Sequence, residues 1–454
     1  MIRRFSILSA IVGMAMNAYP ISPFDGWWKG ELQQVGLPLV MNITGENDST
    51  RISMYSPAQS LEPIPSERIT VADDTLIVDF PVLTANFIGS LNSDRSKIEG
   101  IFTQLGNSFT LIMERSDSTA IQPKRPQTPQ PPFPYTTREI NFRNGDIKLH
   151  GTLTLPAGSQ KNLPLAVMIT GSGTQNRDEE IAYHKPFAVI ADALARNGIA
   201  TFRYDDRYYN TPENTSSTAT TLDFADDAMA ALRAMSALPE TDSRKIGFIG
   251  HSEGGLIAMM NAAEHPDSVA FVISIAGPAY NGVDLMTDQN SLISSASGMP
   301  LTQQELNLLK EIFKVTASTL SAAEAKETIE LMVMTSGSSK ISGNMPSQLT
   351  AILSPWYREW LRTDPAKYLS KIKCDVMSIS GAMDLQVPAV KNQKELSTHI
   401  PDATIKTYPG LSHLMQPVRT PLEGLNPAMI ETTISPEVLA DITEYLKHIL
   451  NLQP

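Results

Sequence analysis

The sequence predicts two domains: a small all-β domain of the sandwich or barrel type, then a larger α/β domain with a mostly parallel sheet and a helical cap. Three observations support this prediction. Residues 19–120 contain short strands with alternating apolar and polar side chains. A proline-rich stretch follows. The rest of the chain alternates between apolar strands and helical patterns, with one long interruption.

Residues 1–18 are predicted to be a signal peptide and not part of the fold. Arg3 and Arg4 supply a positive start, and an apolar run over residues 5–16 leads to a small side chain at Ala18. This run is shorter than the roughly 20 apolar residues that a membrane-spanning helix needs. We therefore expect an exported protein that is periplasmic or secreted after cleavage.

Charge and cysteine content restrict the partners. The formal net charge is −12, so no basic surplus exists to replace the counterions of a nucleic acid. The chain has one cysteine, Cys374, and therefore no internal disulfide and no cysteine near residue 18 that could carry a lipid anchor. We expect no cofactor, no metal site and no membrane anchor, and a small molecule as the partner. The oligomeric state is open.

The first domain, residues 19–120, is predicted from seven strands separated by turn residues. They are Trp28–Leu32, Leu39–Ile43, Arg51–Tyr55, Thr75–Phe80, Asn86–Leu91, Lys97–Phe102 and Phe109–Glu114. No ligand or catalytic cluster stands out among them. Trp27 and Trp28 either fill the core or line a binding mouth.

A linker is predicted at residues 121–136. Its central part, Gln122–Pro134, is rich in proline, which lacks the amide donor and favours an extended polyproline conformation. The stretch is therefore expected to act as a semi-rigid spacer between two separately folded domains.

The second domain, residues 137–454, alternates strands and helices. The apolar strands are Leu165–Ile169, Ile199–Arg203, Lys245–Gly250, Ala270–Ile275, Val376–Ile379 and Ala403–Tyr408, and helical patterns follow or separate them. Such repeated units imply a mostly parallel sheet covered by helices. The opening pieces, Glu139–Phe142 and Leu149–Leu155, predict an antiparallel pair at one edge.

The alternation stops between Ala276 and Asp375, where the pattern is helical. A connection between a strand and a helix in such a fold usually has about 2 to 6 residues, so this segment is an insertion. It predicts a helical cap at about residues 280–370 that covers the site or selects substrates. The alternative is a helical appendage with only a packing role.

The stretch Gly250–Gly254 reads Gly-His-Ser-Glu-Gly and fits the pattern G-x-S-x-G. This pattern forms a sharp turn between a strand and a helix, where side chains at the glycine positions would collide with their neighbours. The turn lifts the serine above the sheet at the N-terminus of a helix. Because a strand precedes and a helix follows, Ser252 is predicted to be a nucleophile.

A serine hydroxyl needs a base to act as a nucleophile. Among the seven histidines, His413 lies on a loop that follows the strand ending at Tyr408, at the carboxyl edge of the sheet where Ser252 emerges. Asp384 leaves the preceding strand at the same edge. We therefore predict that His413 is the base and that Asp384 holds its imidazole in the correct tautomer. His251 is expected to point away at the elbow.

The negative oxygen of a tetrahedral intermediate needs N–H donors. One predicted donor is the backbone N–H of Glu253, directly after the nucleophile, and the other comes from the loop Thr170–Thr174.

The second domain resembles the bacterial α/β-hydrolases of the serine esterase type, including serine-peptidase-like and dienelactone-hydrolase-like members. The matching stretches are Gly171–Asp178, Arg203–Arg207, Gly250–Gly255, Gly381–Asp384 and Gly410–His413. The order Ser252, Asp384, His413 is the order of this superfamily. The resemblance implies that Ser172 is the second oxyanion donor, with Gly173 in reserve. The N-terminal domain resembles, through the weaker motif Gly26–Gly30, a small domain found before such esterases.

One departure from the family concerns the pocket. Relatives usually continue the Asp-Asp-Arg stretch with a glycine-rich turn, whereas Tyr208 and Tyr209 follow here. Two tyrosines near the site are expected to bind substrate and to reshape the pocket.

Three functions fit this pattern. The first is hydrolysis of carboxylic esters with short acyl chains through an acyl-enzyme. The second is an aminopeptidase-like activity of the same triad, for which Glu179 and Glu180 could hold the amine of a substrate, although a solvated loop is the simpler place for both. The third is a non-catalytic envelope or carbohydrate-binding protein, which a complete triad disfavours.

Overall fold

A computed structural model describes residues 22–46, 49–158, 161–209, 218–338, 341 and 348–452, and the predicted signal peptide lies outside these ranges. The chain divides into two compact units, which meet in the sequence between Pro123 and Lys124. This boundary falls inside the predicted linker.

The first unit contains one antiparallel sheet. In chain order its strands are β1 (Gly26–Leu32), β2 (Leu37–Glu46), β3 (Ser49–Ser56), β4 (Ser60–Pro65), β5 (Ile69–Ala72), β6 (Thr75–Phe80), β7 (Ala85–Leu91), β8 (Lys97–Gln104) and β9 (Asn107–Ser116). They lie side by side in the order β4-β3-β2-β1-β9-β8-β7-β6-β5. Because β3 also contacts β5, the sheet curves in a barrel-like manner.

The concave face of this sheet buries one apolar cluster that includes Trp28, Met41 and Phe87. Trp28 is fully buried, and its indole N–H donates a 2.6 Å hydrogen bond to the carbonyl of Phe24. Trp28 therefore fills the core, which settles one of the two alternatives for this side chain.

Two strands of the first unit were not predicted, and both lie at the edges of the sheet. β4 contains Pro63 and Pro65, and proline in a strand is restricted to edges because it cannot donate to a neighbour. β5 has only 4 residues. Short or proline-containing strands protect the edge of a sheet from pairing with another strand. The same two features make such strands difficult to predict from the alternation of apolar and polar residues.

The predicted spacer is wrong for the part of the linker that follows Pro123. Arg125 donates hydrogen bonds to the carbonyls of Ala182 at 2.9 Å and Ala428 at 3.0 Å. Gln127 accepts the N–H of Thr433 at 2.6 Å. These two side chains attach the chain from residue 124 onward to the α/β unit. Their guanidinium and amide groups form hydrogen bonds with backbone carbonyl and N–H groups of loops, which have no partner in a strand.

The second unit contains a mixed sheet in the order β10-β11-β13-β12-β14-β15-β16-β17. Its strands are β10 (Thr136–Asn144), β11 (Ile147–Leu155), β12 (Leu163–Ile169), β13 (Ala200–Tyr204), β14 (Thr241–His251), β15 (Phe271–Ile275), β16 (Asp375–Gly381) and β17 (Thr404–Tyr408). β10 pairs antiparallel with β11, and β11 pairs antiparallel with β13. The other pairings are parallel. The predicted fold class is therefore confirmed, including the antiparallel pair at the edge.

Helices cover both faces of this sheet. They are α1 (Pro186–Arg196), α2 (Thr221–Ser236), α3 (Glu253–Glu264), α4 (Gly282–Ala296), α5 (Gln303–Ala317), α6 (Ala322–Ser336), α7 (Pro355–Arg362), α8 (Ala366–Leu369), α9 (Ala389–His399) and α10 (Pro436–Ile449). One apolar cluster joins the sheet to α2 and α3, and another joins it to α1 and α10. Among the helices of the described ranges, none has the length and apolar composition needed to cross a membrane.

The insertion between β15 and β16 is helical, as its pattern indicates. Helices α4 to α8 lie there, and α5 and α6 each begin with a capping box, at Thr302 and Ser321. A separate apolar cluster, which includes Leu285, Phe313 and Trp360, holds these helices together. Leu256 and Met260 of α3 belong to the same cluster, so the cap packs directly against the helix that follows Ser252.

Candidate active site

Ser252 lies in the turn between β14 and α3 with φ 52° and ψ −120°. A residue other than glycine in this region of φ and ψ is strained, at a cost of about 1 to 3 kcal/mol. A Cβ at Gly250 would lie 2.0 Å from the carbonyl oxygen of Gly254, and one at Gly254 would lie 2.1 Å from that of Ile169. The two glycines are thus required by close backbone approach. The turn has the geometry that the sequence motif predicts.

The imidazole of His413 is hydrogen-bonded to the carboxylate of Asp384. Its Nδ1 lies 2.7 Å from Oδ2 of Asp384, whose other oxygen accepts the N–H groups of Gln386 and Val387 at 2.7 and 3.0 Å. Both residues of the pair are buried. Because a carboxylate only accepts hydrogen bonds, Nδ1 of His413 carries a proton and Nε2 is left to act as a base.

Ser252 and His413 line the same cavity, which has a volume of about 510 Å³. Its described lining is Gly171, Ser172, Gln175, Glu179, Ile181, His251, Ser252, Gln289, Ile293, Gln386, His413, Leu414, Gly424, Leu425 and Pro427. Gln289 and Ile293 come from α4, so the cap contributes part of the wall. A cavity of this size and mixed character suits a small organic ligand.

The loop after β12 is fixed by the carboxylates that follow β13. Asp206 accepts the hydroxyl of Thr170 at 2.9 Å and the N–H of Gln175 at 2.9 Å. Arg177 forms an ion pair with Asp205 at 2.7 Å. Burial raises the pKa of Asp206 well above its usual range, against the opposing effect of its hydrogen bonds. Two of the motifs that carry the family resemblance therefore contact each other.

The three predicted oxyanion residues occupy different positions. Ser172 lines the cavity, whereas Gly173 and Glu253 are absent from its described lining. Gly173 has φ 93°, and Glu253 is the first residue of α3. The first N–H groups of a helix have no partner within the helix, so the backbone of Glu253 can donate to a ligand beside Ser252. The N–H of Gly171 is already taken by Glu179, at 2.7 Å.

The side chain of Glu253 joins the elbow to the cap. It is 1% exposed, and it accepts hydrogen bonds from Thr221 at 2.6 Å and from the indole N–H of Trp356 at 3.0 Å. Burial raises the pKa of Glu253, while hydrogen bonds from Thr221, Trp356 and Ser172 oppose the rise. Because Trp356 belongs to α7, this carboxyl group ties the nucleophile turn to the inserted helices. This link could not be predicted from the sequence, because the motif G-x-S-x-G places no restriction on the residue after the serine.

His251 does not point away, contrary to the prediction. It lines the cavity, its Nδ1 lies 2.8 Å from Oε1 of Glu179, and its Nε2 lies 3.2 Å from the carbonyl oxygen of His413. Glu179 is 1% exposed, so its predicted place on a solvated loop is also wrong. Glu180 is exposed and pairs with Lys185 at 3.4 Å. The loop after β12 folds inward at Glu179, which has φ 52°.

The structure does not bring the two tyrosines to the cavity. Neither Tyr208 nor Tyr209 is among the described residues of its lining, and Tyr208 packs against the apolar cluster under α2. The reason is the preceding residue, Arg207, which forms ion pairs with Asp223 at 2.8 Å and Asp227 at 2.6 Å. These ion pairs hold the turn against α2.

A metal site is not evident in the described ranges, where no group of three or more His, Cys, Asp or Glu side chains is placed to hold an ion. The ends of β14 and β17 place Ser252 and His413 in the lining of one cavity, and the end of β16 places Asp384 beside His413.

Comparisons with known proteins identify the family of the chain. The family described as Serine aminopeptidase, S33, matches residues 182–416. The chain is 23% identical over 436 residues to Esterase EstD of Thermotoga maritima, and this alignment covers 90% of this chain and 95% of EstD. It is 31% identical over 147 residues to the putative esterase NocK of Nocardia uniformis, covering 31% of this chain and 41% of NocK.

Among solved structures, Est1E from Butyrivibrio proteoclasticus aligns with a TM-score of 0.42 and 15% identity, over 69% of this chain and 99% of Est1E. The family match covers more than half of the chain and includes β13 to β17, the elbow and the loop of His413. The chain therefore belongs to the Serine aminopeptidase, S33, family of α/β-hydrolases.

Proposed function

We propose that this chain is an exported serine hydrolase that cleaves carboxylic esters with short acyl chains through an acyl-enzyme. Ser252 is the proposed nucleophile, His413 the base, and Asp384 the acid that orients His413. One observation carries the proposal. Ser252 at its strained turn and His413 bonded to Asp384 line one cavity, which contains room for a small substrate.

The proposed reaction has two steps. His413 takes the proton of Ser252 as its oxygen attacks the ester carbonyl, and then passes that proton to the departing alcohol. Water, activated by the same imidazole, releases the acid. The backbone N–H of Glu253 and that of Ser172, or of Gly173 in its place, are proposed to stabilise the negative oxygen in both steps.

The lining of the cavity favours an uncharged ligand. Ile181, Ile293, Leu414, Leu425 and Pro427 provide apolar surface, and glutamine side chains provide neutral polar groups. Such a wall suits a short acyl chain or alcohol, because burying a charged group without a partner is costly. The relatives EstD and NocK, both named as esterases, support the same reading.

An aminopeptidase activity is the second candidate, and the description of the family favours it. An aminopeptidase must hold the terminal amine of a peptide, which calls for a carboxylate in the site. Glu179 is the one carboxylate in the described lining of the cavity, but its Oε1 already serves Gly171 and His251. Glu180 lies outside that lining. The ester reading therefore requires fewer changes to the site.

Export is supported by the composition of residues 1–18, with their positive start and apolar run. The whole chain, expressed in a bacterium with two membranes, should be recovered from the periplasm or the medium and should begin near residue 19. Its intact mass checks this expectation. A cytoplasmic protein that keeps its first residues would contradict it.

Replacing Ser252 by alanine should lower kcat on a p-nitrophenyl ester by at least about 10⁴-fold, because the nucleophile is lost while substrate binding remains. Steady-state kinetics give the result. Ser268→Ala is the matched control: Ser268 is exposed beyond the far end of α3, and its loss should leave kcat within about twofold. A Ser252→Ala protein that keeps wild-type kcat would refute the assignment of the nucleophile.

Esters with acetyl to about hexanoyl chains should be hydrolysed, and amides little, because amide cleavage also requires protonation of a poor leaving group. The measurement compares kcat/KM for p-nitrophenyl butyrate with that for alanyl and prolyl p-nitroanilides. Glu179→Gln and Glu180→Gln proteins are run alongside. If an anilide is the better substrate, and one of these variants lowers kcat/KM for the anilide far more than for the ester, the enzyme is an aminopeptidase.

A further inference from the structure

A buried pair of titratable side chains, His251 and Glu179, lies beside the proposed triad and has no part in the reaction as described above. His251 is 5% exposed and Glu179 is 1% exposed. The ring centroids of His251 and His413 are 4.8 Å apart. Buried titratable groups are costly unless they are paired, so their retention beside a nucleophile calls for an explanation.

The hydrogen bonds of this pair determine how many protons it holds. Nε2 of His251 lies 3.2 Å from the carbonyl oxygen of His413, which can only accept, so this nitrogen must carry a proton. Nδ1 of His251 lies 2.8 Å from Oε1 of Glu179. A neutral imidazole has one ring proton, and with that proton on Nε2, the bare Nδ1 would face a carboxylate oxygen. Two acceptors would then oppose each other at hydrogen-bonding distance.

An additional proton removes this conflict. Oε1 of Glu179 also accepts the N–H of Gly171 at 2.7 Å, and an oxygen that accepts two N–H groups is best satisfied as part of a carboxylate. The extra proton therefore belongs on His251, as an imidazolium that donates from both ring nitrogens. The pair is then neutral as a whole, which suits its burial.

The pair connects three segments of the site. Glu179 holds Gly171, at the start of the predicted oxyanion loop; His251 precedes Ser252; and the carbonyl that His251 binds belongs to the backbone of His413. Any shift of this backbone would move the imidazole relative to Ser252. A displacement of about 1 Å of a catalytic group can cost roughly 100-fold in rate.

We propose that His251 and Glu179 are positioning residues that act as an imidazolium–carboxylate pair and hold His413 and the oxyanion loop in register with Ser252. The proposal rests on the proposed function, because it assigns the pair to the same triad. The proposal goes beyond that function, because the positions of His413 and the oxyanion loop then depend on a proton of His251, which is not part of the triad.

The pair should make the site sensitive to alkaline pH. The titratable groups that face His251 are Glu179, His413 and Asp384. Burial alone would lower the pKa of His251, but the charge and hydrogen bond of Glu179, the carbonyl of His413 and the charge of Asp384 together raise it above its usual value. A raised pKa means that the stabilisation is complete below the ordinary histidine pKa and disappears as pH rises through the raised value.

Loss of the proton forces a choice between two contacts. A neutral His251 can keep its bond to Glu179 or its bond to the carbonyl of His413, and not both. Because a hydrogen bond to a carboxylate is the stronger one, the contact with His413 is expected to be lost. The rate should therefore fall at high pH through kcat, while KM stays nearly unchanged.

The experiment compares pH profiles of kcat for the wild type, Glu179→Gln and Glu180→Gln. Glutamine at position 179 keeps the shape but removes the charge that raises the pKa of His251, so the alkaline limb should move to lower pH by on the order of one unit. On this alkaline limb we expect kcat of Glu179→Gln to fall by up to about tenfold, the most that a one-unit shift can give, and KM to stay within about twofold. Glu180→Gln removes the adjacent, exposed carboxylate and should reproduce the wild-type profile.

Superimposable profiles for the wild type and Glu179→Gln would overturn the proposal, as would equal shifts in both variants. If Glu179→Gln does not fold, the wild type still provides a test by ¹⁵N NMR of the histidine side chains. One buried histidine should keep protons on both ring nitrogens to a higher pH than an ordinary histidine does, and it should show contacts to His413. A neutral ring there would refute the proposal. This spectrum needs no substrate, so it stays informative even if esters are not hydrolysed.

Discussion

The backbone of Ser252 is held at φ 52° and ψ −120°, and the rest of the site depends on that constraint. Such a conformation survives only where its surroundings leave no alternative. Here Gly250 and Gly254 let the backbones of strand and helix approach until no Cβ would fit. The N–H of Ser252 is fixed to the carbonyl of Ile275 at 2.8 Å on the next strand, β15. The strain is thus supported by the parallel sheet and by the helix that follows.

The neighbours of Ser252 in the sequence carry this rigidity outward. The side chain before it, His251, contacts the backbone of His413 and the loop after β12. The side chain after it, Glu253, contacts α2 through Thr221 and the cap through Trp356. The five-residue turn therefore contacts the loop after β12, the backbone of His413, α2 and the cap. A buried polar network of this kind rigidifies a site when each member is satisfied.

The parts of this protein that the sequence could predict are those set by local pattern. Neighbouring residues are enough to show the periodicity of strands and helices. They also show the glycines around Ser252 and the position of His413 after a strand. The edge strands β4 and β5 were missed because proline and short length disrupt the pattern. The contact between His251 and Glu179 joins residues 72 positions apart, and that between Glu253 and Trp356 joins residues 103 positions apart. Such contacts depend on the path of loops, which periodicity does not encode.

We propose that Ser252 is the nucleophile and that the backbone beside it forms the oxyanion hole. A crystal structure of the protein after reaction with a small fluorophosphonate tests both assignments at once. We expect a covalent bond from Oγ of Ser252 to phosphorus, with the phosphoryl oxygen about 2.7 to 3.1 Å from the backbone nitrogen of Glu253 and from that of Ser172 or Gly173. A phosphonate bound to another residue, or a phosphoryl oxygen directed into solvent, would contradict it.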